Sequence, residues 1–410
     1  MVRNWAGNVT FSTDRLHRPS TVEQLQELVA SAPRLRALGT GHSFNRIADT
    51  TGDLVSTRDL VVATYVDEQR GVVEVGGGTR YGELTTELQA HGWALHNLGS
   101  LPHISVAGAC ATGTHGSGST NRCLAAAAVA VEFVDANGEL VRLTRDDDEF
   151  GGAVIALGAL GVVTKLTLAI EPSYEMRQNV WLDLPLSTFT TNLDTIMGSA
   201  YSVSAFTRWH RPDLIEQLWV KTRTDARVPD GRAWGARPAE VAQHPIAGQD
   251  ASTATQQLGI AGPWNARLPH FRLEFTPSNG NEQQTEYLLP RESGAAAITA
   301  LSELDLRAAL QVCEIRTIAA DELWLSPCGG RDTIALHFTW VDDDALVAEA
   351  VGKLETALAP FDARPHWGKV FRADPRGHYP LLPRFRALIN RHDPNRKFGN
   401  DFLERWIYPD

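Results

Sequence analysis

Apolar residues recur at helical spacing at Val22, Leu25, Leu28 and Val29, which predicts an amphipathic helix opening just after Pro19. Ser20 is its expected cap, with Glu23 three residues on in the capping-box spacing. Residues 34–38 and 71–75 read as strands that run into glycines. Residues 80–90 read as a helix with Tyr81, Leu84 and Leu88 on one face and Gly92 past its end. Two runs at 129–134 and 139–143 predict a hairpin across Asp135-Ala136-Asn137-Gly138, and 161–170 predicts a further strand.

Beyond Pro172 the pattern changes. Strand candidates lengthen at 271–275, 311–318 and 333–340, and 346–358 looks helical. Residues 224–267 are rich in Ala, Gly, Pro and Gln with weak periodicity, as expected of a long excursion. The final residues predict a helix and a fixed tail. An α+β protein of two domains follows, divided at 1–172 and 173–375, with 376–410 expected to return to the first.

Composition narrows the function. The 410 residues carry a net charge of −11, which argues against nucleic acid or an anionic membrane as the main partner. No run of about 18 apolar residues predicts a membrane span. The first residues show no apolar stretch of the secretory type, so a cytoplasmic protein is expected. Cys110, Cys123, Cys313 and Cys328 are far apart and form no C-x-x-C pair, so neither a metal site nor a disulfide framework is expected. Basic residues number 33 Arg against 5 Lys, so a lysine inside a motif draws notice.

The first such motif surrounds Gly39-Thr40-Gly41-His42-Ser43-Phe44-Asn45. Glycines here allow close backbone approach, and successive N–H groups can form an anion cradle suited to a diphosphate. His42 is foreign to the usual phosphate loops and suggests an action on the bound molecule. A second segment, 99–118, is built from small and hydroxyl residues, with only Leu101, Ile104 and Val106 as bulky aliphatics. It cannot build a core, but it can line an extended ligand. A third group, Gly76-Gly77-Gly78, precedes the 80–90 helix and reads either as a phosphate site or as a tight strand-to-helix turn.

In the second domain polar residues alternate along two strands. Glu314 and Arg316 share one face while Cys313 and Ile315 take the other, and His337 and Thr339 lie opposite Leu336, Phe338 and Trp340. If the polar faces line a cleft, this set suits a polyhydroxylated ligand. In water the Glu314–Arg316 pair would contribute little. Lys369 follows a His-Trp-Gly turn at 366–368 and, if desolvated, could orient a hydroxyl.

Together these motifs resemble the vanillyl-alcohol oxidase (PCMH-type) family of FAD enzymes, and within it the alditol oxidases. The resemblance spans nearly the whole chain: 39–45, S-L-P-H-I-S-V-A-G-A at 100–109, T-H-G-S-G at 114–118, E-I-R at 314–316, H-F-T at 337–339, H-W-G-K at 366–369 and D-P-N-R-K-F-G-N at 393–400. It implies a PCMH-type FAD-binding domain followed by a substrate (cap) domain whose mixed or antiparallel sheet is covered by helices. It implies that His42 is joined covalently to the 8α-methyl of the flavin. Ala37, Leu38, Gly39, Thr40, Gly41 and Ser43 would hold FAD beside it. So would Ser100, Ser105, Gly108, Thr112, Gly113, Thr114, His115 and Val163, with Arg316 and His366 nearby.

By the same carry-over Ser100, Glu314, Arg316, Thr339 and Lys369 would contact the polyol, with His337 beside them. A glutamine of the preceding sheet would join them, and both Gln283 and Gln284 are candidates. The implied reaction oxidises the terminal CH–OH of an alditol such as xylitol or sorbitol by hydride transfer to flavin N5. Oxygen is the acceptor, and an aldose and hydrogen peroxide are the products. Arg316, Lys369, His337 and Glu314 are the candidates for managing the hydroxyl proton. The alternatives are an aldonolactone oxidase of the gulonolactone type and a dehydrogenase with another electron acceptor. A monomer without a metal is expected.

Overall fold

A computed structural model describes residues 1–275 and 281–408. Its largest element is the sheet of the second half. Glu175–Pro185, Leu214–Arg223, Ser202–Thr207, Leu310–Ile318, Thr333–Val341 and Glu282–Pro290 lie side by side in that order, each antiparallel to its neighbours. Two-residue strands extend the edges.

Period-two alternation decides what each face does. Cys313, Ile315, Leu336, Phe338 and Trp340 are buried with Ala297, Ile298, Leu301, Val347, Val351 and Leu354 of helices Gly294–Ser302 and Asp344–Leu358. The opposite face therefore receives Glu314, Arg316, His337 and Thr339. Register places Glu314 opposite His337, and His337 opposite Glu286 on the next strand. Three ionisable side chains thus form one row across three strands.

The first half contains a five-stranded antiparallel sheet, ordered Tyr65–Asp67, Val72–Gly76, Val162–Ala169, Ala128–Val134 and Leu140–Thr144. The expected hairpin is its edge pair. Helices Tyr81–Ala90 and Val106–Ala111 supply Tyr81, Leu84, Leu88, Val106 and Ala109 to its core. Phe385, Leu388, Phe402, Leu403 and Trp406 of helices Leu382–His392 and Asp401–Trp406 enter the same core, so the chain end packs against the first sheet's elements.

One buried cation ties these parts together. The Arg36 guanidinium donates to the carbonyls of Gly158, Phe398 and Leu157, each at 2.9 Å, and to that of Ile47. Burial lowers its pKa to about 10, against the pull of Tyr408 and Asp393. Arg36→Met would leave four carbonyls without this donor and is expected to destabilise the protein by about 2–4 kcal/mol. A thermal melt of the variant checks this.

Several sequence expectations need correction. Thr21, not Ser20, caps the first helix (Val22–Ser31): its side chain accepts from the Gln24 N–H, while Ser20 Oγ donates to the Gln24 side chain. Residues 271–275 form no strand. Phe271 makes one isolated bridge to Ala254, and Leu273 packs where a side chain at position 82 would stand. The two longest strands, Glu175–Pro185 and Leu214–Arg223, were not anticipated. Among the described residues no helix is long and apolar enough to cross a membrane.

Candidate active site

A cavity of about 570 Å³ opens between the glycine loops of the first half and the polar face of the large sheet. Loop 36–45 forms one wall. The backbone N–H groups of Gly39, Thr40, Gly41, His42 and Ser43 make no hydrogen bond among the described residues. Gly41 adopts φ +72° where the backbone of Asn4 and Trp5 approaches, a conformation that favours glycine. The loop is held from behind: the Phe44 N–H donates to the Gly368 carbonyl, and Asn45 Nδ2 donates to the Trp367 and Lys369 carbonyls.

Segment 99–115 forms the adjoining wall; against the sequence expectation it contributes to a core, since helix Val106–Ala111 lies within it and buries Val106, Ala109 and Cys110. Ser105 Oγ is buried without a hydrogen-bond partner among the described residues. A Cβ at Gly39 would come within 2.6 Å of it and one at Gly108 within 2.8 Å, so these glycines keep the two loops in close approach. His42 stacks on Trp5 with ring centroids 5.0 Å apart, and its Nδ1 lies 2.9 Å from Thr40 Oγ1. Burial, then the charges of His103 and Arg80, lower its pKa to about 4. His42 is therefore neutral at physiological pH, with a nucleophilic nitrogen lone pair.

The sheet wall is organised by Glu286, whose carboxylate accepts from Arg316 Nη2 at 2.5 Å and Lys369 Nζ at 2.8 Å, with His115 Nε2 at 3.2 Å. Burial alone would raise its pKa, but Lys369, Arg316 and His115 hold it well below the usual carboxylate range. Glu314 accepts from His270 Nε2 at 2.7 Å and lies 3.6 Å from Arg316 Nε. Burial opposes its ionisation too, and Arg316 and His270 outweigh it. The two carboxylates balance the charges of Arg316 and Lys369. Burial pulls the Lys369 pKa down while Glu286 raises it, and the net direction is down.

Gln284 Nε2 donates to Glu282 Oε1 at 2.6 Å, which leaves its carbonyl facing His337 Nε2 at 3.0 Å. His337 thus carries its proton on Nε2. Its Nδ1 is a buried lone pair without a partner among the described residues. Burial first, and Lys369 next, keep this imidazole neutral far below its ordinary pKa. His366 Nδ1 accepts from the Gly368 N–H at 3.1 Å, and burial lowers its pKa to about 3.

Of the sequence candidates, Ala37 to Ser43, Ser100, Ser105, Gly108, Thr112, Thr114, His115, Val163, Gln284, Glu314, Arg316, His337, Thr339, His366 and Lys369 all border this cavity. Gly113 does not: at φ +73° it serves a turn against Pro327. Gln283 points the other way and donates to Asp344 Oδ1 at 2.6 Å, leaving Gln284 on the cavity side. Gly78 is packed against the Thr57 carbonyl, where a Cβ would come within 2.2 Å, so the 76–78 glycines make a tight turn. Glu314 and Arg316 are buried, which removes the surface-pair alternative.

Sequence reasoning missed Glu286, Glu282, His270, Lys221 and Trp5. The first two were visible as the period-two series Glu282, Gln284, Glu286. His270, with His244, Ile246 and Thr253, comes from the 224–267 excursion and its sequel, whose side chains border the cavity. That segment lacks periodicity because it packs on the sheet as a strap.

FAD fits the residues present. Five free amides and a lone buried hydroxyl suit a diphosphate, and a neutral imidazole stands beside them. Residues 13–144 match the family described as FAD binding domain, and 279–406 match D-arabinono-1,4-lactone oxidase. Fold and site define a two-domain FAD-binding oxidoreductase. The chain is 52% identical to an alditol oxidase of a Streptomyces species over 98% of each chain. It is 28% identical to an L-gulono-1,4-lactone dehydrogenase of Mycobacterium tuberculosis over 99% of each. Cholesterol oxidase from B. sterolicum shares the fold at a TM-score of 0.79 and 15% identity, covering 99% of this chain and 96% of that one. The chain belongs to the vanillyl-alcohol oxidase (PCMH-type) family of FAD enzymes.

Proposed function

We propose that the protein is an alditol oxidase that converts a terminal CH–OH of xylitol, sorbitol or a similar polyol to the aldose, with oxygen as acceptor. The observation that carries this reading is the buried polar sheet face, where Gln284, Glu314, Arg316, His337, Thr339 and Lys369 meet opposite the His42 loop. When bound, FAD would supply the hydride acceptor and the route for the electrons to oxygen.

The protein's own residues divide the remaining work. Ala37 to Ser43, Ser105 and Gly108 hold the cofactor. Lys369 and Arg316 keep N–H donors beyond those given to Glu286 and direct them at the reacting hydroxyl oxygen, where negative charge develops. His337 Nδ1 has the vacant lone pair and accepts a hydrogen bond from the reacting hydroxyl, whose proton is managed by Arg316, Lys369, His337 and Glu314 together. Arg316 stays protonated and acts as an electrostatic partner. Glu314, Thr339, Gln284 and Ser100 take the remaining hydroxyls, which both donate and accept.

A lactone reading draws support from the match of 279–406, but the full-length relative at 52% identity is an alditol oxidase, against 28% for the lactone dehydrogenase. Peroxide release with xylitol and sorbitol, compared with gulono-1,4-lactone, separates the two. The alditol reading expects the polyols to be far better substrates, and the reverse order would overturn it.

His42 is the proposed covalent tether. His42→Ala is expected to release all flavin from the polypeptide on acid denaturation, whereas wild-type protein stays yellow. Covalent flavin in the variant would contradict the assignment. The lowered Lys369 pKa carries its own expectation: kcat/KM should fall with rising pH below the ordinary lysine value of about 10.4, as the charged donor is lost.

A further inference from the structure

Lys221 is buried on strand Leu214–Arg223, one row away from the sheet's polar patch, and makes no ion pair with a carboxylate among the described residues. Its ammonium donates to the carbonyls of Leu268 and Pro269 at 2.5 and 3.0 Å, and its third close neighbour is His270 Nδ1 at 3.1 Å. Those three acceptors use all three N–H donors. With Nδ1 accepting, the neutral His270 imidazole carries its proton on Nε2, and that N–H points at Glu314 Oε1, 2.7 Å away. Phe206 and Trp219 stand edge-on to the His270 ring at 5.5 and 5.3 Å, which fixes its plane.

The backbone of the same strap reaches the opposite wall. The N–H groups of His270 and Phe271 both donate to the Ser100 carbonyl, at 3.2 and 3.3 Å. One segment therefore connects the Glu314 carboxylate with the Ser100 loop. Any buried lysine or histidine needs such partners; what sets this pair apart is that their hydrogen bonds end on a carboxylate of the sheet's polar face.

We propose that Lys221 and His270 are positioning residues for Glu314: the relay Lys221–His270–Glu314 fixes which carboxylate oxygen is left to accept a substrate hydroxyl. His270 Nε2–H occupies Oε1, so Oε2 is the oxygen presented to the polyol. The relay acts on substrate binding rather than on the reacting carbon, and its loss raises KM more than it lowers kcat. The assignment rests on the alditol reading of the site, because a hydroxyl donor is what Oε2 would receive.

The test is a double-substitution cycle on the holoenzyme with xylitol. His270→Leu keeps an apolar filler against Phe206 and Trp219 and is expected to raise KM about 10- to 100-fold, with kcat within about threefold. His270→Gln, whose amide N–H can reach the place of Nε2, is expected to restore KM to within about fivefold of wild type. His270→Leu combined with Glu314→Gln should behave like Glu314→Gln alone, since the relay has no other target. Multiplicative losses, or an unchanged KM in His270→Leu, would overturn the proposal. Should His270→Leu not fold, Lys221→Met gives the same cycle with the His270 side chain still present, and the same two results decide it. A wild-type enzyme inactive on xylitol refutes the alditol reading instead, and the cycle run on whichever substrate is turned over still decides the relay.

Discussion

Lys369→Met is expected to lower kcat/KM on xylitol by about 10²- to 10³-fold while FAD content stays at the wild-type level. The size follows from what is removed: one fixed donor at a site of developing oxyanion charge is worth about 2.7–4 kcal/mol when water is excluded. Methionine matches the length of lysine, so the cavity wall keeps its shape while the charge and its N–H groups vanish. The Lys369 carbonyl continues to accept from Asn45 Nδ2, which leaves the link between the 366–369 turn and the His42 loop intact. Steady-state peroxide assays and flavin absorbance per polypeptide check both halves of the expectation. Unchanged turnover would remove Lys369 from the mechanism.

Glu286→Gln is expected to cost both stability and activity, because this one carboxylate faces Arg316 and Lys369 at once. Breaking a buried ion pair from one side strands the remaining charge, typically at about 3–5 kcal/mol. Glutamine nearly preserves volume, so the loss is electrostatic. The pH dependence has a definite sign. The folded Glu286 pKa lies below its unfolded value, so its stabilisation is fully present above the unfolded value of about 4.3. It is lost as pH falls through the folded value. The difference in melting temperature between wild type and variant should be widest near neutral pH and narrow in acid. A gap independent of pH would mean that Glu286 acts by packing alone.

Much of this arrangement was legible in the sequence where side chains repeat with the backbone. Glu314 with Arg316, and His337 with Thr339, announce a polar sheet face because their alternates are wholly apolar. The Gly39–Asn45 loop is equally readable, since no core use explains two glycines followed by a histidine. Glu286 illustrates the limit. Its alternation with Gln284 is plain, but its importance comes from register, which sets it across from His337, and from a turn more than 80 residues later that delivers Lys369. His270 was hidden for another reason, and Lys221, although on a regular strand, because its partners all come from the same strap. The strap around His270 has no regular structure, so no period marks which of its residues face inward. Trp5 reaches His42 only through tertiary packing of the chain's first turn on the loop.

The most direct measurement is anaerobic mixing of the purified holoenzyme with xylitol, followed by admission of air. The account predicts rapid bleaching of the flavin absorbance near 450 nm, then its full return with one hydrogen peroxide released per flavin. Flavin that stays oxidised in xylitol but bleaches with gulono-1,4-lactone would contradict it.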